Sequence, residues 1–399
     1  MSLAQKRNQG TAGTVLIYST RRRESDHESA VHAELARRLA GILDMEFGGH
    51  HQTATQHAGR VYLLPTDTII GTDHALRLGL RDETDLFGGA APHAFLPTKA
   101  ITHPVFDADA AAPSGWSHEF GRQTRHAVLQ GFTAFSIHDA QRAAMQMLQY
   151  GPVRIKPVLA TAGRGQTVIA NASAMLDALA RFDTEHLAEY GLVLEENLQD
   201  VETFSVGRVR VGEHLITYVG TQSLTPDNQG ELVYGGSCLL VVRGDFDRLL
   251  ALPLDENSRD AIAKARMYDS AATACYPGLL ASRRNYDIAR GRNHAGSQSS
   301  GVLEQSWRTG GASAAEIAAI ESLRENPLQE AVYASTVELF GDEVSQPPDA
   351  QLLYQGTDSE IGPICKYVTV RPYRRPGIHA HAALGRRPAD NGDKAPSMA

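Results

Sequence analysis

The beginning of the chain carries the pattern that most limits its fold, a strand, a helix and a second strand within about fifty residues. Residues 14–18 (TVLIY) are apolar and partly β-branched, residues 31–42 repeat apolar side chains at a helical period, and residues 61–65 (VYLLP) form the next apolar run. This order predicts parallel strands joined by a crossover helix. No GxGxxG follows either strand, so we expect a small α/β domain over residues 1–95 without a dinucleotide signature of its own.

Short strands and helices continue to alternate along the rest of the chain. We predict strands at residues 152–157, 167–170, 192–196, 203–211 and 214–219, and helices at residues 173–182, 258–274 and 313–324. The turn at Gly212 joins two of these strands as an antiparallel hairpin. The chain is therefore predicted to combine α/β and α+β architecture, with the antiparallel part in its second half.

The composition limits the classes of function. The 399 residues are 42% hydrophobic and 21% charged, which is typical of a globular chain of roughly two to three domains. Because the net charge is -8, we expect a small-molecule partner and no nucleic acid. Three scattered cysteines are too few for a disulfide framework and suit a cytoplasmic location. No apolar run approaches the ~20 residues that span a bilayer, so no membrane partner is predicted.

The first motif that could carry chemistry is Lys156, near the end of a predicted strand, with the glycine loop Gly163-Arg164-Gly165 shortly after it. An ammonium group supplies positive charge, and glycines let backbone N–H groups come close to a phosphate. The same Gly-Arg-Gly sequence also occurs in ordinary hairpin turns. Taken alone, the motif leaves phosphate binding and a plain turn both open.

A second motif follows an apolar strand, where Glu195, Glu196 and Leu198 precede Glu202. Backbone groups at such a crossing between two sheets can bind the edge of an adenine, and a carboxylate can accept hydrogen bonds from ribose hydroxyls. Three acidic residues at a strand end can equally well be solvated surface positions. The spacing by itself does not choose between these two interpretations.

A third motif lies in two predicted strands after the helix at residues 258–274. Asp287 lies on the first strand, and Glu304, Ser306 and Arg308 share one face of the second. If the strands pair, Asp287 and Glu304 face each other, and paired carboxylates beside an arginine suit a Mg²⁺ ion that bridges phosphates. If the strands do not pair, these residues are ordinary outward-facing polar positions.

The order of these motifs resembles the ATP-grasp superfamily across roughly residues 95–325. Lys99 in TKAITHP is followed by Lys156 in VRIKP, the glycine loop, the E-x-x-L-x-x-x-E of Glu195 and the E-x-S-x-R of Glu304. The whole arrangement also resembles an uncharacterised bacterial ATP-grasp family of unknown function. The resemblance implies a preATP-grasp domain at residues 1–95, ATP-grasp subdomains at 96–190 and 191–345 and a C-terminal extension at 346–375. Residues 376–399 are rich in Pro, Gly, Ala and Arg without an apolar period, so we expect a disordered tail there.

The resemblance also implies roles for individual residues, with ATP and one or two Mg²⁺ ions as cofactors. The nucleotide-binding residues are then Lys99 and Lys156 on the phosphates, Ala160, Gly163, Arg164 and Gly165 in a lid, Glu195, Glu196 and Leu198 in an adenine hinge, and Glu202 on the ribose. The metal ligands are Asp287, Glu304 and Ser306, and the catalytic residues are Lys156, Arg308 and Arg284. Ser306 departs from the superfamily, which usually has an asparagine there, and its hydroxyl is a weaker ligand than an amide carbonyl.

The function implied by the resemblance is an ADP-forming ligase that activates a small-molecule carboxylate as an acyl-phosphate and passes it to an amine, a thiol or another nucleophile. Arg283, Arg284 and Asn285, with the Gly310-Gly311 turn, are candidate substrate groups, and a solvated strand end is the alternative for the first three. Two other functions remain open, an ATP-grasp kinase acting on a small molecule and a non-catalytic nucleotide-binding module. The sequence is compatible with a homodimer.

Overall fold

The computed structural model describes residues 13–21, 24–53, 55, 57, 59–159, 165–342, 344 and 346–374. The predicted tail at residues 376–399 and three residues of the predicted lid, Ala160, Gly163 and Arg164, lie outside the described residues. Within the described part of the chain, no helix is both long enough and apolar enough to cross a membrane.

The chain begins with a small parallel sheet and one long helix. Its elements are β1 (Gly13–Tyr18), α1 (Asp26–Leu43), β2 (Glu46–His50) and β3 (Arg60–Pro65). The strands pair in parallel in the order β2-β1-β3, as predicted for this region. α1 buries Leu35, Leu39 and Ile42 in a core shared with the sheet, because these residues recur at the helical period. The sequence did not predict β2 (EFGGH), which has too few apolar residues to stand out.

A short irregular region leads out of this sheet. It contains β4 (Ile69–Ile70), α2 (Thr72–Arg77) and β5 (Gly89–Ala91), followed by a 3-10 turn at Lys99–Thr102. The turn begins after Thr98, whose hydroxyl accepts a hydrogen bond from the Ala100 N–H at 3.1 Å. All four residues of the turn are buried, so it is held between neighbouring parts of the molecule.

A four-stranded antiparallel sheet forms the next unit. The elements of this part are α3 (His118–Thr124), β6 (Gly131–Ala134), α4 (Ile137–Met147), β7 (Val153–Pro157), β8 (Thr167–Ile169), α5 (Ala172–Leu179), α6 (Thr184–Tyr190) and β9 (Leu192–Glu196). The strand order is β6-β9-β7-β8, so β9 lies between β6 and β7. Ala140 of α4, Ile155 of β7 and Leu194 of β9 share one buried core. The pairing places Lys156 and Glu195 on neighbouring strands.

An eight-stranded antiparallel sheet is the largest layer. The elements of this part are β10 (Gln199–Val211), β11 (His214–Pro226), β12 (Leu232–Arg243), α7 (Phe246–Leu250), α8 (Glu256–Cys275), β13 (Leu280–Ala281), β14 (Arg283–Arg292), β15 (Gln298–Ser306), α9 (Ser313–Glu325), β16 (Ala331–Phe340), β17 (Gln351–Asp358) and β18 (Gly362–Pro372). The strand order is β15-β14-β10-β11-β12-β16-β18-β17. α8 shares a core with one face of this sheet through Ile262 and Tyr286. α9 shares a core with the other face through Ile317 and Val209, and α1 joins it there.

The last two strands lie in the stretch that the resemblance assigned to a C-terminal extension, residues 346–375. β18 pairs with β16 from Val332 to Phe340, and β17 pairs with β18. The stretch thus contributes the last two strands of the large sheet. This stretch joins the sheet because β18 pairs with β16. The local sequence pattern of residues 346–375 does not show which strand they pair with.

Candidate active site

Two carboxylates lie opposite each other on neighbouring strands of the large sheet. Asp287 of β14 and Glu304 of β15 are direct partners in the antiparallel register, so their side chains leave the sheet on the same face. Gln222 of β11 donates a hydrogen bond from Nε2 to Asp287 Oδ1 at 3.0 Å. Burial and the negative charge of Glu304 raise the pKa of Asp287 to about 7. A bound cation would relieve the repulsion between the two carboxylates.

A lysine from the 3-10 turn stands beside this pair. Lys99 Nζ lies 3.0 Å from Glu304 Oε2, and the lysine side chain is only 7% exposed. Thr102 of the same turn donates a hydrogen bond from its hydroxyl to the backbone carbonyl of Leu303 at 3.2 Å. The turn is therefore fixed against β15, with one ammonium group directly at the carboxylate pair.

A second lysine is buried in the small sheet with two partners. Lys156 of β7 forms an ion pair with Glu195 of β9, and His103 Nε2 lies 3.1 Å from the other oxygen of the same carboxylate. These three side chains are almost completely inaccessible to water. Burial alone would raise the pKa of Glu195, but the charge of Lys156 and the contact with His103 outweigh it and keep that pKa below its ordinary value.

One short segment joins the two groups. Lys99 opens the 3-10 turn and His103 follows its last residue, so the turn reaches from the carboxylate pair of the large sheet to the buried pair of the small sheet. The hydroxyl of Thr133 on β6 donates a hydrogen bond to the Ala100 carbonyl at 2.6 Å, which ties the same turn to the small sheet. The structure thus brings five predicted site residues into one region. They are Lys99, Lys156, Glu195, Asp287 and Glu304.

A small apolar cluster lies next to the carboxylate pair. Leu198, which we predicted in the hinge, packs with Leu129, Ala289 and Leu303. Ala289 is two residues after Asp287 on the same strand, so it shares the face that carries the carboxylates. Leu129, Leu198 and Ala289 are buried, so this cluster is a small part of the core beside the carboxylate pair.

Glu196, also predicted in the hinge, has a different environment. Its carboxylate accepts a hydrogen bond from the Ser299 hydroxyl at 2.7 Å and from the Gln130 N–H at 3.2 Å. The side chain therefore fastens the end of β9 to the large sheet. Gly165 is the one predicted lid residue in the described part of the chain, and its φ of +68° is a conformation that favours glycine.

Ser306 is held by a buried arginine. It pairs with Asn285 across the two strands, and its hydroxyl accepts a hydrogen bond from Arg283 Nη1 at 3.3 Å. The same nitrogen donates to the Arg308 carbonyl at 2.6 Å, while Arg283 Nε donates to Glu316 Oε2 of α9 at 2.7 Å. Arg283 therefore fixes the segment that carries both Ser306 and Arg308.

Two arginines that we predicted as substrate groups are engaged elsewhere. Arg284 Nη1 donates to Asp269 Oδ1 at 3.0 Å and to the Thr273 hydroxyl at 2.9 Å, both on α8. Strand alternation turns Arg284 to the α8 face, opposite to Arg283 and Asp287, so the structure does not bring Arg284 to the carboxylate pair. The Arg283 guanidinium is itself bound by Glu316 and by backbone carbonyls, so it does not face a substrate carboxylate. Asn285 donates to Ser205 and Tyr218, so it belongs to the same internal network.

Glu202, predicted on the ribose, lies apart from the carboxylate pair. It faces Arg290 in the register and lines a separate cavity of about 280 Å³. The other lining residues are Asp200, Asn257, Arg290, Gly291, Arg292 and Gln298. Lys156 and Asp287 lie outside this cavity, so the structure does not bring Glu202 to them.

Arg308 and the Gly310-Gly311 turn line another cavity, of about 310 Å³. It lies between the first turns of α1, the segment before α9 and the strands β16 and β18. The Arg308 side chain is 30% exposed, and its Nε lies 3.8 Å from Asp67 Oδ1. The cavity therefore begins at the end of β15, close in sequence to Glu304.

Three residues of this region were not found from the sequence: His103, Gln222 and Glu316. Scattered histidines are usually core or surface residues, and only the position of His103 in TKAITHP, four residues after Lys99, set it apart. The pattern Ser313-x-x-Glu316 at the start of the helix at 313–324 is typical of a capping box. The structure instead buries Glu316 under Arg283, and α9 has no side-chain cap hydrogen bond.

The donor set at the carboxylate pair fits a hard cation. No group of three or more His, Cys, Asp or Glu side chains that could hold a metal occurs within the ranges that the structure describes. Asp287 and Glu304 offer oxygen ligands only, and Mg²⁺ is usually bound through one or two carboxylates together with waters and substrate phosphates. These two residues fit Mg²⁺ in that mode.

Comparisons with known proteins add a family and a fold. A family model described as protein of unknown function (DUF3182) matches residues 15–368. No curated protein matches the sequence. N5-carboxyaminoimidazole synthetase from Staphylococcus aureus is similar in structure, with a TM-score of 0.50, 11% identity, and coverage of 90% of this chain and 94% of that chain.

Two further solved structures are more distant. For biotin carboxylase from Campylobacter jejuni, the TM-score is 0.48 and the identity 10%, with 90% of this chain and 88% of that chain covered. For phosphoribosylamine–glycine ligase from Thermotoga maritima, the TM-score is 0.43 and the identity 12%, with 90% and 92% covered.

Proposed function

Since the chain belongs to the family described as protein of unknown function (DUF3182) and has the ATP-grasp fold that its motifs predict, we propose that it is a Mg²⁺-dependent, ADP-forming ligase. It uses ATP to activate the carboxylate of a small molecule and passes the acyl group to an amine or a thiol. The N5-carboxyaminoimidazole synthetase of similar fold is named as a synthetase, which is consistent with ligase chemistry.

One observation carries the proposal, the carboxylate pair with its lysine. Asp287 and Glu304 are register partners, and Lys99 Nζ lies 3.0 Å from Glu304 Oε2. Two adjacent carboxylates favour a divalent cation, and a lysine beside them favours an anionic ligand of that cation. A polyphosphate with Mg²⁺ satisfies both preferences at once. When bound, the ion offsets negative charge on the phosphoryl group during transfer.

Both lysines already have carboxylate partners, which has a consequence for binding. Lys99 is paired with Glu304 and Lys156 with Glu195, so each lysine exchanges or shares a carboxylate partner when a phosphate arrives. An ammonium group has three donors and can serve a phosphate oxygen while it keeps one carboxylate. His103 keeps its contact with Glu195 through this exchange, so the buried carboxylate is never without a partner. The apolar cluster at Leu198 receives the adenine ring.

The reaction needs no covalent bond to the protein. A carboxylate oxygen of the substrate attacks the γ-phosphorus of ATP, the bond to the bridging β-γ oxygen breaks, and ADP leaves. The amine or thiol then attacks the acyl carbon, loses its proton and releases inorganic phosphate. Arg308 lines the cavity of about 310 Å³, and in this scheme it binds the substrate carboxylate or the transferred phosphoryl group.

Ser306 gives a specific reason to keep a second candidate, a nucleotide-binding module without catalysis. Its hydroxyl is already an acceptor for Arg283, and a buried guanidinium next to a metal ligand opposes a second cation. A module of this kind binds ATP but releases no ADP with any substrate.

The test is ADP release by the pure protein with Mg²⁺, ATP and a panel of small carboxylates, alone and with amines or thiols. We expect ADP with at least one pair of substrates, together with an amide or thioester product. A phosphorylated product alone identifies a kinase instead. Glu304→Gln should lower turnover far more than ATP affinity, whereas Ser306→Asn should keep or raise activity. ATP binding without ADP release supports the non-catalytic module, and absence of ATP binding refutes both candidates.

A further inference from the structure

The cavity next to Arg308 has walls of both charges. Its volume is about 310 Å³, near the lower end of ligand pockets, so it suits a small metabolite. The charged side chains that line it are Arg21, Glu28, Arg308, Glu338 and Lys366. Thr66, Tyr234, Thr309 and Thr336 line it as well, together with the apolar residues Val31, Val337 and Leu353. The five charged side chains favour an occupant with charged groups.

One wall holds a fixed ion pair. Glu338 of β16 and Lys366 of β18 are register partners, and Lys366 Nζ lies 3.0 Å from Glu338 Oε1. Their side chains are 17% and 12% exposed, so both are partly removed from bulk water. A carboxylate has about four acceptor sites and an ammonium three donors, so one ion pair leaves each partner able to bind a ligand.

Arg308, elsewhere in the lining, has a longer ion-pair contact than Lys366. Arg308 Nε lies 3.8 Å from Asp67, and Asp67 is closer to Arg21, at 3.4 Å from its Nη2. Arg21 has a second carboxylate partner in Glu28, at 3.6 Å, whereas Asp67 is the carboxylate beside Arg308 and is shared with Arg21. Arg308 is also the residue that the proposed function places on the substrate carboxylate.

We propose that this cavity binds a small zwitterionic acid, with its carboxylate at Arg308 and its protonated amine at Glu338. The inference rests on the proposed function for the position of the carboxylate. The lining carries three cationic side chains and two carboxylates, so it offers a partner for a carboxylate and a partner for an ammonium group. A ligand with one charge of each sign uses both kinds of partner, so the proposed substrate class is an amino acid in the broad sense.

The test is calorimetry with the full chain, Mg²⁺ and a non-hydrolysable ATP analogue. The probes are L-2-aminobutyrate, 4-aminobutyrate and 6-aminohexanoate, whose charges stand progressively further apart. Butyrate and hexanoate are the matched acids without an amine, butylamine is the matched amine, and glutarate is the diacid. We expect at least one amino acid to bind roughly tenfold or more tightly than its matched acid, because a charge-assisted hydrogen bond is gained.

Two variants of the same cavity assign the amine site. Glu338→Gln should remove most of the preference for the amino acid and leave the affinity for the matched acid nearly unchanged. Glu28→Gln is the control, since Glu28 lines the same cavity but its side chain is 40% exposed, and it should keep the preference. If the preference is lost in Glu28→Gln and kept in Glu338→Gln, the assignment to Glu338 is refuted.

The outcomes separate this inference from the proposed function. If acids or diacids bind as tightly as all three amino acids, the zwitterion inference is refuted even when ADP is released with another substrate. If an amino acid is preferred but neither ATP binding nor ADP release is found, the inference stands as a binding site and the proposed function fails.

Discussion

Lys156 is the residue at which binding and stability are most closely linked. In the proposed site, replacing it with alanine removes charge-assisted hydrogen bonds to phosphate, worth about 1.5–3 kcal/mol each, so ATP affinity should fall roughly tenfold to a hundredfold. The same change leaves Glu195 buried with His103 as its remaining partner, so the free energy of unfolding should also fall, by about 3–5 kcal/mol. Calorimetric titration with Mg·ATP and denaturant unfolding measure the two effects.

A matched control removes a lysine from another ion pair. Lys264 pairs with Asp260 one helical turn away on α8, and Asp260 is 42% exposed, so Lys264→Ala should change both quantities little. If Lys156→Ala is folded and binds ATP as tightly as the wild type, Lys156 does not contact the nucleotide.

Asp287 should make the ligand-free protein sensitive to pH. Its pKa is raised to about 7 by burial and by Glu304, whereas the unfolded chain has an ordinary aspartate pKa of about 3.9. The folded state therefore holds more protons than the unfolded state between these values, and the stability contributed by the protonated side chain is lost as the pH rises from about 4 to 7.

The measurement is the melting temperature of wild type and Asp287→Asn between pH 4.5 and 8 without nucleotide. Asparagine does not titrate, so the variant should gain stability relative to the wild type as the pH rises, with little further gain above about pH 7. A difference that stays constant over this range would mean that Asp287 has an ordinary pKa.

Among the elements, α9 and the hairpin of β14 and β15 depend on one buried ion pair. Glu316 and Arg283 are almost completely buried, and the Tyr218 hydroxyl donates to Glu316 at 2.6 Å. Glu316→Gln leaves a buried guanidinium without its counter-charge, so the free energy of unfolding should fall by about 3 kcal/mol or more. Glu325→Gln, at the exposed end of the same helix, should stay within about 0.5 kcal/mol of wild type.

A double replacement tests whether this pair also positions the site. Arg283→Met with Glu316→Leu replaces the pair with apolar side chains of similar size and should recover much of the lost stability. ADP release should not recover, because Arg283 no longer holds the backbone at Arg308 and the hydroxyl of Ser306. If the double variant is stable and releases ADP as fast as the wild type, the Arg283–Glu316 pair stabilises the fold but does not position the site.

The sequence patterns of single strands and helices predicted part of the carboxylate site, but they could not predict how those strands and helices pack together. Alternation along β14 and β15 placed Asp287 and Glu304 on faces that converge if the strands pair, and the register makes them partners. The same alternation separates Arg283 from Arg284, but the sequence could not show which face packs against α8. The strands at residues 351–372 have no helical or alternating signal strong enough to reveal that β16 is their neighbour.

At the scale of the whole molecule, the order of motifs along the chain predicted the ATP-grasp fold, because each motif is local in sequence. Contacts between distant segments were not predictable in this way. His103 meets Glu195 across 92 positions, and Gln222 meets Asp287 across 65. Such pairs depend on how the two sheets and the 3-10 turn come together, which no local period encodes.

The central claim is that residues of both sheets form one site for ATP with Mg²⁺. The most direct measurement is calorimetric titration of ATP into the wild type, Lys156→Ala and Asp287→Asn, each with and without Mg²⁺. We expect the wild type to bind one ATP, and to bind it more tightly with Mg²⁺ than without. Lys156→Ala should bind ATP weakly in both conditions. Asp287→Asn should still bind ATP, but its affinity should no longer depend on Mg²⁺. The claim would be contradicted if the wild type did not bind ATP. It would also be contradicted if all three proteins bound ATP with the same affinity whether or not Mg²⁺ was present.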